Sequence, residues 1–133
     1  MGRIKISDAA ALLGVSDDTV RRWVEQGRLS NLRDEAGAHV VDGTELAATL
    51  VESGKELERL DRGTGSRSAR NHLTGIVTKV VSDAVMSQVD IQCGPYRIVS
   101  LISTEAVREL GLEPGSIATA VIKATNVTIE AQA

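Results

Sequence analysis

Ser68-Ala69-Arg70-Asn71 and, far downstream, Lys123-Ala124 bring a hydroxyl, a guanidinium, an amide and an ammonium into segments that are otherwise weakly charged and β-patterned. A dianion leaving water needs several donors in fixed positions, because each hydrogen bond it fails to recover costs affinity. Ser68 offers a hydroxyl, Arg70 a planar fork and Asn71 an amide. Lys123 adds a point charge after the apolar pair Val121-Ile122, against which its stem can lie. Ser103 stands where a helix is expected to begin, so its hydroxyl and the N–H groups behind it favour an anion. Taken singly, each has an ordinary explanation: a snorkelling strand-end lysine, or a serine that caps a helix. Together they form a donor set for a small tetrahedral oxyanion.

A second polar set lies in the first half of the chain. In a helix-turn-helix the second helix enters the major groove, leading with its N-terminal residues. Here that end carries Ser16 and Thr19, with Arg21 and Arg22 one turn later. Guanidinium forks pair bidentately with phosphate or guanine, although adjacent arginines on an exposed helix are commonly solvated charge. Asp17 and Asp18 complement the helix dipole at the first turn. Arg33 and His39 flank a hairpin tip from which they can reach backbone or minor groove, while Trp23 reads as core.

These residues need elements to position them. Residues 6 to 60 have helical periodicity. Ser7 is expected to cap a helix bearing Ala10, Leu12 and Leu13 that stops at Gly14; Ser16 caps a second, with Val20, Trp23 and Val24 inward, that closes at Gly27. Extended stretches on either side of the tip 34–38 make a hairpin wing. A third helix then starts near Asp42 or Thr44 and presents Leu46, Leu50, Leu57 and Leu60. The run 62–67 is Gly-rich and aperiodic, as a linker would be. From Leu73 the period becomes two, with Val85, Ser87, Val89, Ile91 and Cys93 on one face. A helix over 104–110 interrupts the strands, which resume at 117–123 and 126–130. The expectation is an α+β chain of two domains: a winged helix-turn-helix over 1–61, a linker, and a small β-barrel over 68–133.

Composition bounds the rest. Aromatic residues are 2% of 133 and Phe is absent, so two small cores must be built from aliphatic residues. Cores of that size are marginal alone, which favours oligomerisation. The net charge is −3, yet from Arg3 to Arg33 six basic residues face four acidic ones. That local balance is compatible with DNA. The single Cys93 rules out an intrachain disulfide and a cysteine-cluster metal site. No apolar leader or membrane-length run is present, so a cytoplasmic location with no membrane partner is expected. His39 and His72 are isolated and no paired carboxylates or Ser–His–acid set stands out, so no enzyme is expected.

The string 6–23, with Gly27-Arg28-Leu29 and Asp42-Gly43-Thr44-Glu45-Leu46, resembles MerR-like and excisionase-like winged helix-turn-helix domains over about residues 4 to 53. The resemblance implies double-stranded DNA as partner. Residues 68–75, 109–115 and 120–124 resemble the molbindin domain, also called Mop or TOBE. That resemblance implies a five-stranded OB-like barrel in a homo-oligomer that binds molybdate or tungstate at subunit interfaces. By position, Ser68 and Arg70 would come from one chain and Ser103 and Lys123 from another, with Asn71 ordering the loop and Ala69 and Ala124 inside the matching blocks. Where the family often carries a second hydroxyl, this chain has Ala106. The reading that results is a molybdate- or tungstate-responsive DNA-binding regulator. An oxyanion carrier or storage protein is the alternative, and an architectural DNA-binding factor whose barrel only oligomerises is the third.

Overall fold

The computed structural model describes residues 2–62 and 69–132. Ser68 and residues 63–67 of the expected linker lie outside that set. The chain divides into two compact units, Met1–Glu56 and Leu57–Ala133.

In the first unit a short strand β1 (Arg3–Lys5) runs directly into helix α1 (Ile6–Leu13). Ser7 is therefore not the cap. Lys5 holds that position with no side-chain hydrogen bond, and Ser7 falls inside the first turn. Because the helix begins at Ile6, its buried face is Ile6, Ala9 and Ala10, whereas Leu12 is half exposed. Gly14 ends the helix at φ 70°, a left-handed conformation that a side chain would strain. Helix α2 (Asp17–Glu25) starts as expected, with Ser16 Oγ accepting from the Thr19 N–H at 3.2 Å. Val20 is fully buried; Trp23 and Val24 pack at the edge of the same core.

Strands β2 (Leu32–Arg33) and β3 (His39–Asp42) form an antiparallel hairpin, and β1 pairs with the other side of β3. β1 is an element the periodicity did not announce, since three residues are too few to show a period. Helix α3 (Gly43–Glu58) follows, capped by Asp42 Oδ2, which accepts from the Glu45 N–H. Leu46 is buried and Leu50 packs against the core, but Leu57 stays exposed. The Glu45 carboxylate accepts from both the hydroxyl and the N–H of Ser30, which fastens the hairpin entry to α3 and holds this carboxyl below its ordinary range.

The second unit is a curled antiparallel sheet in the order β6-β5-β4-β7, made of β4 (Asn71–Ser82), β5 (Met86–Cys93), β6 (Tyr96–Ser103) and β7 (Ile117–Ile122). The curl follows from β4, whose first half pairs with β7 and whose second half pairs with β5, with a bulge between Val77 and Lys79 at the handover. Val77, Val89, Ile91 and Cys93 point into the concave side, and helix α4 (Thr104–Leu110) adds Val107. At Gly75 a Cβ would overlap the Gln92 carbonyl, so only glycine lets β4 and β5 approach there.

The β4–β5 turn is built by Asp83, whose Oδ1 accepts from the N–H groups of Val85 and Met86 at 2.8 Å. The buried hydroxyls of Ser87 and Thr104 bond each other at 2.8 Å, and Thr104 donates to the Asp83 carbonyl. Residues 126–130 do not form the expected strand. A 3-10 turn over Ala124–Asn126 breaks the line of β7, and Ile129 is 90% exposed with no ladder to join. The sheet thus has four strands among the described residues, and an open apolar hollow of about 480 Å³ lies between β6 and β7.

Candidate oxyanion and nucleic-acid sites

Strand register decides which of the expected oxyanion donors meet. Asn71 pairs with Ile122 at the start of the β4–β7 ladder. Arg70 and Lys123, the next residues outward on each strand, therefore stand together at one end of one chain. The Asn71 side-chain amide donates to the Ile122 carbonyl at 3.1 Å, which ties the two segments together and leaves that donor engaged. Arg70 and Lys123 are both exposed, and neither has a hydrogen bond or carboxylate partner among the described residues. Two exposed cations at one end of the β4–β7 ladder carry donors of the kind a dianion can accept from.

Ser103 lies elsewhere. It pairs with Met86 at the start of β5, beside the Ser82–Ser87 pair that ends β4. By register it sits at the far end of β4 from Arg70 and Lys123. Its hydroxyl caps α4 by accepting from the Ala106 N–H at 3.0 Å. The backbone N–H at 106, where a second hydroxyl is missing, is thus engaged within the chain. Ala69 is half-buried and its carbonyl accepts from His72 Nε2 at 3.0 Å; Ala124 opens the 3-10 turn after Lys123. Ser68 lies outside the described residues.

In the first unit, Ser16 and Thr19 are occupied with each other at the start of α2, their hydroxyls 3.0 Å apart. Arg22 reaches back to the Thr19 hydroxyl at 3.5 Å, and Arg21 and Arg22 are both exposed. Arg21 and His39 line one concavity of about 290 Å³ with Asn31, so a residue of α2 and one of the hairpin share a surface. Arg33 Nη1 donates to the Gly37 carbonyl at 2.8 Å and steadies the hairpin tip rather than standing free. Trp23 packs on the core, with the Arg28 guanidinium 4.2 Å above its ring. Arg3 and Asn31 went unselected in the sequence. Arg3 Nη1 donates to the Arg33 carbonyl at 3.1 Å, a pairing across thirty positions that no local pattern reveals.

No group of three or more metal-ligating side chains occurs among the described residues. Among the described residues no helix is long and apolar enough to cross a membrane.

Comparison with known proteins falls into the same two parts. The family model of the TOBE domain matches residues 67–129, and that of the MerR family regulatory proteins matches residues 5–38. Molybdenum-pterin-binding protein 1 of Clostridium pasteurianum is 42% identical over 65 residues, which are 48% of this chain and 96% of that protein. A probable molybdenum-pterin-binding protein of Haemophilus influenzae is 43% identical over 63 residues, 47% of this chain and 91% of its own length. Among solved structures, a molybdate-binding protein from Sporomusa ovata is similar with a TM-score of 0.48 and 30% identity, covering 50% of this chain and 98% of that one.

Proposed function

Through its C-terminal half the chain belongs to the TOBE-domain family of molybdenum-pterin-binding proteins, and we propose that it is a DNA-binding regulator that responds to molybdate or tungstate. What supports the sensing half is that Asn71 pairs with Ile122 and donates to its carbonyl, which makes the exposed Arg70 and Lys123 the next residues outward at that end of the ladder. The guanidinium supplies a planar fork and the ammonium a mobile point charge, which together neutralise a tetrahedral dianion.

The site needs a second chain. Ser103 is at the opposite end of β4, so a site using all three residues takes Arg70 and Lys123 from one protomer and Ser103 from its neighbour. This divides the donors differently from the family resemblance, which separates Arg70 from Lys123. Exposed apolar residues on this unit, Val85, Leu101, Leu110 and Ile117 at 62–70% exposure, supply surface for such an oligomer. In this reading residues 1–61 are a winged helix-turn-helix, residues 68–133 complete an OB-like barrel, and 62–67 link them. Ser16, Thr19, Arg21 and Arg22 lead α2 into the major groove, with Arg33 and His39 on the wing; the MerR match supports this. Oxyanion bound between protomers favours one arrangement of paired recognition helices, and so one spacing of half-sites.

Titrating DNA binding with molybdate, tungstate and sulfate in parallel tests the whole reading. A shift with the first two and none with sulfate supports it; calorimetry without binding at high micromolar molybdate ends the sensing half. A carrier or storage role is the second reading, favoured by one observation: the Clostridium relative is almost wholly this one domain. Tight molybdate binding with no DNA shift would select it.

A further inference from the structure

His72, the second residue of β4, places its ring between two acceptors. Nδ1 is 2.7 Å from Asp61 Oδ2 and Nε2 is 3.0 Å from the Ala69 carbonyl oxygen. A ring protonated on both nitrogens donates to both, whereas a neutral ring donates to only one. The pair is shielded, with side-chain exposures of 22% for His72 and 19% for Asp61, so it differs from a solvated surface ion pair.

The two acceptors lie on segments with different roles. Ala69 immediately precedes Arg70, and Asp61 is three residues past Glu58, the last residue of α3. Arg70 is thereby held from both sides: through Ala69 by the His72 ring, and through Asn71 by the Ile122 carbonyl. The Ala69 carbonyl belongs to the planar peptide unit that joins it to Arg70, so a shift of the Arg70 backbone moves that acceptor. The ring bridges that carbonyl to Asp61, beyond the end of α3.

We propose that His72 is a positioning residue that transmits occupancy of the Arg70–Lys123 anion site to the segment leaving α3, through Ala69 on one ring nitrogen and Asp61 on the other. This rests on the function proposed above and specifies its regulation. His72 touches no ligand in this role; it sets where Asp61 is held when Arg70 is engaged.

The test uses the full chain, the variants His72→Gln and Asp61→Asn, and their combination. Two quantities are read: molybdate affinity by calorimetry, and the ratio of DNA affinities with and without saturating molybdate. The DNA is a duplex selected from a random library by the wild-type chain. We expect a wild-type ratio of about fivefold or more, both single variants within about twofold of unity, and molybdate affinity kept within about threefold. The double variant should then match the singles, because the pair acts as one unit whatever else Asp61 contacts. Variants that retain the wild-type ratio overturn the proposal and leave the parent function intact. Loss of molybdate binding in either variant makes the pair part of the site and overturns the transmission role. A wild-type chain whose DNA affinity ignores molybdate removes the parent function, and this inference with it.

Discussion

Asp90 and Gly75 show how single residues hold the sheet together. Asp90 is only 5% exposed on β5, and its carboxylate accepts from Gln88 Nε2 at 3.0 Å and Arg97 Nε at 2.9 Å. Those hydrogen bonds, with Gln88 first, hold its carboxyl below the ordinary aspartate range; the Met86 and Val85 N–H groups do the same for Asp83. A depressed carboxyl binds its proton more weakly in the folded than in the unfolded chain. The stability it confers is present above the unfolded value, near pH 4, and is lost as pH falls further. Urea midpoints should therefore drop between pH 7 and about pH 3, and Asp90→Asn should show a smaller drop than wild type. Gly75→Ala needs no titration: its methyl group would meet the Gln92 carbonyl and press on Cys93 Sγ. We expect a loss of about 3 kcal/mol or more, read as a lowered urea midpoint with an unchanged slope. The glycine was visible in the sequence, but its reason was not, because Gln92 lies seventeen positions away.

At the scale of elements, α2 was the most legible part of the chain. A serine cap, an acidic first turn and an inward Val20 all act within a few residues, so the order of side chains suffices to place them. Ser16→Ala should cost about 1 kcal/mol, checked by thermal melting. Arg21→Ala with Arg22→Ala should weaken DNA binding across sequences and lower the slope of log affinity against log salt by about one to two. A double variant with unchanged affinity and slope takes α2 off the DNA. The third helix was less legible, since Leu57 fits its apolar stripe yet ends exposed. Residues 126–130 have an alternating pattern but no strand, because a strand exists only where an edge offers its hydrogen bonds and β7 ends in a turn. Alternation specifies a face; it does not supply a neighbour.

At the scale of the whole molecule, the division of donors proposed above yields a complementation test. Arg70→Ala and Ser103→Ala should each reduce molybdate binding at least tenfold, as loss of a hydrogen bond to a charged acceptor does. Mixed oligomers of those two variants should regain intact sites, because one protomer keeps its Ser103 and the other its Arg70 and Lys123. Mixtures of Arg70→Ala with Lys123→Ala should not, since both cations flank the same end of the β4–β7 ladder in one chain. Recovery in the second mixture and not the first would reverse the assignment of donors to chains.

The residue order by itself determined the start of α2 at its Ser16 cap, the stop of α1 at Gly14 and the change from helical to alternating period. Each depends on near neighbours or on residue type. Tertiary structure alone decided which donors stand together, because Asn71 and Ile122 are fifty-one positions apart and only the β4–β7 ladder pairs them. It also revealed the ring of His72 between Asp61 and Ala69, a contact that no spacing rule predicts. Local order fixes conformational preference, whereas hydrogen-bond register between distant strands fixes proximity, and a binding site is made of proximity.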